Sequence, residues 1–122
     1  MATGAAPNKT EWLVVVPDFP GVQQKRLEVR QQHFAGIGPF KESGVYQMGG
    51  AVLHEPPTSD DPTTFSFAGS TLVMQASTRE EVIETLRKDI YAHSGVWDVE
   101  KASFPCPGLI VSSAIDPVVL CV

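Results

Sequence analysis

The chain has 122 residues, of which 43% are hydrophobic and 19% charged, and its formal net charge is −5. That length and composition fit one globular domain with a core that needs no metal or disulfide staples, and they exclude global disorder. The acidic balance, with no basic cluster beyond the pair Lys25-Arg26, argues against nucleic acid or an anionic membrane surface as a partner.

Residues 1–10 are small and polar and read as a flexible lead. They lack the apolar centre of a signal peptide, and the longest apolar run, Leu13 to Pro17, is too short to span a membrane. The expectation is a soluble, cytoplasmic protein with its domain over 11–108 and a C-terminal extension of that domain over 109–122. Glu11 to Pro17 is β-branched and stops at a proline, which predicts a first strand with apolar residues on both faces. Asp18-Phe-Pro-Gly21 predicts a turn. Val22 to about Ile37 carries helix formers at helical spacing, and Gly36, Gly38 and Pro39 predict its end, with a loop over Phe40–Gly44. Val45 to Leu53 predicts a second strand, its Gly49-Gly50 pair marking a bulge or a close backbone approach.

His54 to Thr64, with three prolines, predicts a surface loop. Phe65 to Ala76 predicts a third strand, again apolar on both faces. Thr78 and Glu81 have capping-box spacing and open a second helix that runs to about Lys88. Asp89 to Gly95 is a turn or short helix. Val96 to Phe104 predicts a fourth strand, broken by Pro105, Pro107 and Gly108. Cys106 and Cys121 have no Cys-x-x-Cys spacing and read as free, buried thiols. The order βαββαβ predicts an α+β ferredoxin-like plait, an antiparallel sheet with both helices on one face. The other face needs cover, and a second copy of the chain is expected there, making a homodimer.

The helix faces carry the functional signal. On a helical wheel with Arg26 at zero, Leu27, Val29, Phe34 and Ile37 define a buried arc, while Gln24, Glu28, Gln31, Gln32 and Ala35 take the opposite side. Arg30 at about 40° and His33 at about −20° fall inside the arc with Arg26. In the second helix Val82, Ile83, Leu86 and Ile90 form the apolar arc, and Asp89 lies inside it if the helix extends that far. An inward His and an inward Asp over one sheet face can meet. The carboxylate would then hold one imidazole nitrogen and leave the other for proton transfer. The blander alternatives are arginines that snorkel outward, a satisfied core histidine, or a buried His–Asp pair that only locks the helices together. Ser70, in Ala-Gly-Ser-Thr, and Tyr91 are further candidates to line a pocket. The aromatics Trp12, Tyr46, Phe67 and Trp97 are candidate pocket walls. His54 and His93 read as solvated loop residues. No metal-ligand spacing, P-loop, dinucleotide fingerprint or nucleophile elbow is present.

Taken together, Arg26-Leu27-x-x-Arg30-x-x-His33, Phe67-Ala-Gly-Ser70-Thr-Leu-Val and Asp89-Ile-Tyr91 followed by Gly95-Val-Trp resemble the YciI-like, or YCII-related, family. The chain departs from it at Ile90, where the family has proline. The resemblance implies a dimeric α/β barrel and a His–Asp active site at His33 and Asp89 with Ser70 nearby. Members of that family include a dehydrochlorinase of a chlorinated hydroquinone and fungal proteins encoded in secondary-metabolite gene clusters. The functional expectation is a cofactor-free, metal-free enzyme acting on a small cyclic or aromatic substrate by elimination, dehydration or isomerisation. His33 and Asp89 would be catalytic, and Arg26, Arg30, Ser70 and Tyr91 substrate-binding. The alternative is a non-catalytic small-molecule-binding or accessory dimer.

Overall fold

The structure is a computed structural model that describes residues 10–105. Residues 1–9, the C-terminal extension and both cysteines lie outside the described residues. Three strands, β1 (Thr10–Pro17), β2 (Tyr46–Leu53) and β3 (Phe67–Ala76), form one antiparallel sheet in the order β1-β3-β2. The central place goes to β3, the longest strand, which has no proline and buries residues on both faces, as a strand paired on both sides should. Both flanking strands carry backbone features suited to an edge: β1 ends at Pro17, and β2 has register shifts on either side of its glycine pair.

The register puts Val14, Val16, Leu72, Met74 and Ala76 on one face. Together with Val82 and Leu86 of α2 (Arg79–Arg87) they form the buried core. The second helix begins where expected, with the Thr78 hydroxyl accepting from the Glu81 N–H at 3.1 Å. The fold is the expected α+β ferredoxin-like one, and two parts of the expectation need correction.

The first helix, α1 (Gln23–Glu42), does not stop at Gly36, Gly38 or Pro39 but runs through all three. The stop is Gly44, whose φ of 84° is left-handed, the conformation that glycine favours after a helix. The extra turns are held by tertiary contact: the Phe40 ring stacks on Tyr46 of β2 at 5.2 Å. The predicted fourth strand is the second correction. Residues 96–104 lie beside β1 but make only two isolated bridges, Asp18 to Trp97 and Val15 to Ser103, separated by a 3-10 turn at Val99–Lys101. Val96, Trp97, Val99 and Ala102 all turn into the core, and that spacing lacks the alternation a strand needs. The short α3 (Ile90–His93) precedes this segment. No helix among the described residues is long and apolar enough to cross a membrane.

Gly69 shows how tightly β1 and β3 approach. A Cβ there would collide with the Val16 carbonyl oxygen and lie 2.9 Å from Pro17 Cα. Backbone cannot yield as a flexible side chain can. Gly69→Ala is expected to destabilise the fold by at least 1–3 kcal/mol, the usual cost of overpacking, read as a lower midpoint in urea unfolding.

Candidate functional site

Arg26 is the most buried residue of α1, at 3% exposure. Its Nη1 donates to both carboxylate oxygens of Asp18, at 2.7 and 2.9 Å, and its Nη2 donates to Ser70 Oγ at 2.8 Å. The guanidinium carbon lies 4.7 Å from the ring centres of both Phe67 and Tyr91. Burying a guanidinium is costly unless charge and hydrogen bonds are met, and here the carboxylate, the hydroxyl and the aromatic faces meet them. Burial raises the Asp18 carboxyl above its ordinary value, with Arg26 pulling it back.

Ser70 Oγ also accepts from the Trp97 indole N–H at 3.1 Å. Guanidinium and indole can only donate, so both acceptor positions of this hydroxyl are used. Its own proton has no acceptor among the described residues, which leaves Ser70 as an oriented donor.

His33, half-buried on α1, lies 2.8 Å through Nδ1 from Asp89 Oδ1. The same oxygen accepts the Tyr91 backbone N–H at 2.8 Å. An oxygen acting as acceptor there assigns the proton to Nδ1, which donates to it. Nε2 has no hydrogen-bond partner among the described residues and carries the free lone pair. The imidazole stacks on the Tyr91 ring at 4.0 Å and meets Trp97 edge-on at 5.8 Å.

Asp89 reaches this position by a different route from the one its place on a helical wheel suggests. α2 ends at Arg87, and Asp89 is the N-cap of α3. Ile90 takes the first helical position, where a backbone N–H has no intrahelical partner and proline is equally suited. The departure at Ile90 therefore leaves Asp89 aimed at His33.

These groups share a cavity of about 430 Å³ between α1 and the sheet, within the range of small-molecule sites. The space exists because the positions beneath α1 are small: Gly49 and Ala51 of β2 pair with Leu72 and Ser70 of β3. Phe34, 46% exposed, and Met48, 58% exposed, stand along the cavity as apolar walls. This corrects the expected arc of α1. Phe34 faces an opening rather than a packed core, and Arg26 takes the most buried place. The Tyr46 hydroxyl is buried and unpartnered among the described residues. Burial pushes it well above the ordinary tyrosine value, with the Asp89 charge adding to the rise, and burial also raises Tyr91.

The residues singled out from sequence, Arg26, Arg30, His33, Ser70, Asp89 and Tyr91, come together here. Five line the cavity, and Asp89 stands behind His33. Tyr46, Phe67 and Trp97 line it too, whereas Trp12 lies elsewhere, donating to the Ala76 carbonyl and meeting Phe104 edge-on. Two participants were missed. Asp18 looked like a turn residue, and its only signal is a lone acid at the end of an apolar strand. Lys41 falls in the predicted loop, because Gly36, Gly38 and Pro39 predict an earlier helix end than the one observed.

The YCII-related domain family matches residues 10–101. The chain is 33% identical over 94 residues to the aspartate kinase FUB3 of Fusarium oxysporum f. sp. lycopersici, covering 76% of this chain but only 17% of that protein. It is 32% identical over 93 residues to fusaric acid biosynthesis protein 2 of Gibberella fujikuroi, covering 76% of this chain and 88% of that one. Among solved structures it resembles 5-chloro-2-hydroxyhydroquinone dehydrochlorinase from Burkholderia phenoliruptrix AC1100, in complex with 2,5-dihydroxybenzoquinone. The TM-score is 0.60 and the identity 28%, over 72% of this chain and 85% of that one.

Arg26→Leu strands the Asp18 carboxylate and is expected to cost about 3–5 kcal/mol in urea unfolding. Tyr46→Phe removes an unpartnered hydroxyl and should not lower stability at neutral pH. Above about pH 10 the unfolded chain releases tyrosine protons that the folded protein holds, so stability falls as pH rises. Thermal melts should show that fall, and Tyr46→Phe should lessen it.

Proposed function

The chain belongs to the YCII-related family, and from that premise we propose that it is a cofactor-free enzyme in which His33 performs acid–base chemistry on a small cyclic or aromatic metabolite. One observation carries the reading: Nδ1 of His33 is held by Asp89 at 2.8 Å while the ring forms part of the cavity wall. Asp89 fixes the tautomer and orientation, and Nε2 acts as the base. In an elimination, Nε2 takes a proton from the carbon next to the one bearing the leaving group. The C–H electron pair becomes the new π bond, the leaving group departs with its own pair, and the imidazolium passes its proton to it or to water. In an isomerisation the same proton returns at another atom. Negative charge developing on a substrate oxygen is met by the Ser70 hydroxyl and the Arg30 guanidinium, with Tyr91 as a further donor and Arg26 fixing the donor direction of Ser70.

Three things support the reading. The solved relative is named as a dehydrochlorinase of a hydroxylated ring and holds a ring compound. Several fungal relatives are named for biosynthesis or biosynthetic clusters, which favours a role in secondary metabolism. The geometry also suits that role, because the His33 imidazole backed by the Asp89 carboxylate shares the cavity with the Ser70 hydroxyl and the Arg30 guanidinium.

The sheet face away from the helices carries Leu13, Val15 and Val73. We read this face as the seat of a second copy, giving a dimeric barrel. Sedimentation showing a stable monomer at micromolar concentration would overturn that.

Turnover is to be screened on hydroxylated and halogenated ring compounds. His33→Ala should abolish it, and Asp89→Asn should lower it by about 10²–10⁴-fold, with the circular dichroism spectrum unchanged. Full turnover in His33→Ala sinks the proposal, and ligand binding without turnover in the native protein favours a binding module instead.

A further inference from the structure

The cavity has a charge sign opposite to that of the chain. The protein carries a net charge of −5, yet the charged side chains other than histidine along this cavity are Arg26, Arg30 and Lys41, with no carboxylate among the lining residues. Arg26 is neutralised by its bond to Asp18. Lys41 is exposed near the C-terminal end of α1.

Arg30 is different. It is half-buried and has no carboxylate partner among the described residues. Its guanidinium carbon lies over the Phe34 ring, 4.7 Å from the ring centre. Its N–H groups, which form a fork suited to two oxygens, have no hydrogen-bond partner among the described residues. A half-buried guanidinium without a counter-ion gains most from an anion that arrives with the ligand. Arg30 is also three residues from His33 on the same helix, so their side chains are neighbours.

We infer that this cavity selects a planar small molecule that is already anionic when it binds, its carboxylate or phenolate oxygens held by the N–H groups of Arg30 beside His33. The inference rests on reading the cavity as the active site, and it adds to that reading the class of substrate. Arg30 is then also a specificity-determining residue in the ground state, in addition to meeting the charge that develops during proton transfer at Nε2. The apolar walls, Phe34 and Met48, take the ring faces, and Lys41 adds a second positive charge farther along the helix.

The test compares two nearly isosteric probes, 2-hydroxybenzoate and 2-hydroxybenzamide, by isothermal titration against the full-length protein. The expected result is at least tenfold tighter binding of the carboxylate, weakening with added salt. Arg30→Met should remove that preference and Arg30→Lys should restore part of it. Arg30→Gln serves as a second neutral variant should Arg30→Met fail to fold. His33→Gln should leave the carboxylate affinity within about twofold while turnover is lost, which separates this inference from the acid–base reading. Equal affinity for the two probes, no carboxylate binding at 10 mM, or a preference that survives in the folded neutral variant would each overturn it.

Discussion

A single buried guanidinium organises this protein. Arg26 sits where the end of β1, the start of α1, the middle of β3 and the segment around α3 meet. Its two nitrogens tie Asp18 and Ser70, and two aromatic rings, Phe67 and Tyr91, lie against it. A charge in that position tolerates no loose neighbour, because each unmet donor or acceptor there would cost free energy. The requirement to satisfy Arg26 therefore orders the groups that line the cavity. Ser70 is left with one free proton, and the Tyr91 ring, which lies against the guanidinium, also stacks on His33.

Tyr91 carries that order to the His–Asp pair. Its backbone N–H bonds the same Asp89 oxygen that faces His33 Nδ1, and its carbonyl accepts from both Val96 and Trp97. Trp97 in turn donates to Ser70. His33, Asp89 and Ser70 thus belong to one connected network. Rigidity of this kind keeps the cavity open, because the chain around it cannot collapse inward without breaking bonds to a buried charge. Gly49, Ala51 and Ser70 keep their share of the sheet low, and α1 spans the gap above them.

The helix over the cavity illustrates a limit of periodicity. A helix packed on a solid core should bury its apolar residues, yet Phe34 is exposed and an arginine takes the deepest position. The apolar stripe is real, but part of it faces the cavity rather than a packed core. The wheel located the face correctly: Gln24, Glu28, Gln31, Gln32 and Ala35 are all exposed. It had no means of distinguishing a packed interior from a cavity wall.

The family resemblance points to Asp89 and Ser70 beside His33; from residue patterns alone one could read the α+β order, the third strand, the Thr78 cap, and the two faces of the first helix with Arg26, Arg30 and His33 on the inward one. Those are local properties: alternation, capping chemistry and one helix's periodicity. Tertiary structure decided the rest. Contact between Phe40 and Tyr46 carried α1 past glycines and a proline that local propensity reads as a stop. Inward turns of Val96, Trp97 and Val99 reduced the fourth strand to two bridges. Asp89 became the cap of a separate short helix rather than a position on the second one. The pairing of Asp18 with Arg26, eight residues apart, was equally hidden. Each of these depends on what a residue meets across the fold, and spacing along the chain records only which neighbours it can reach on its own element.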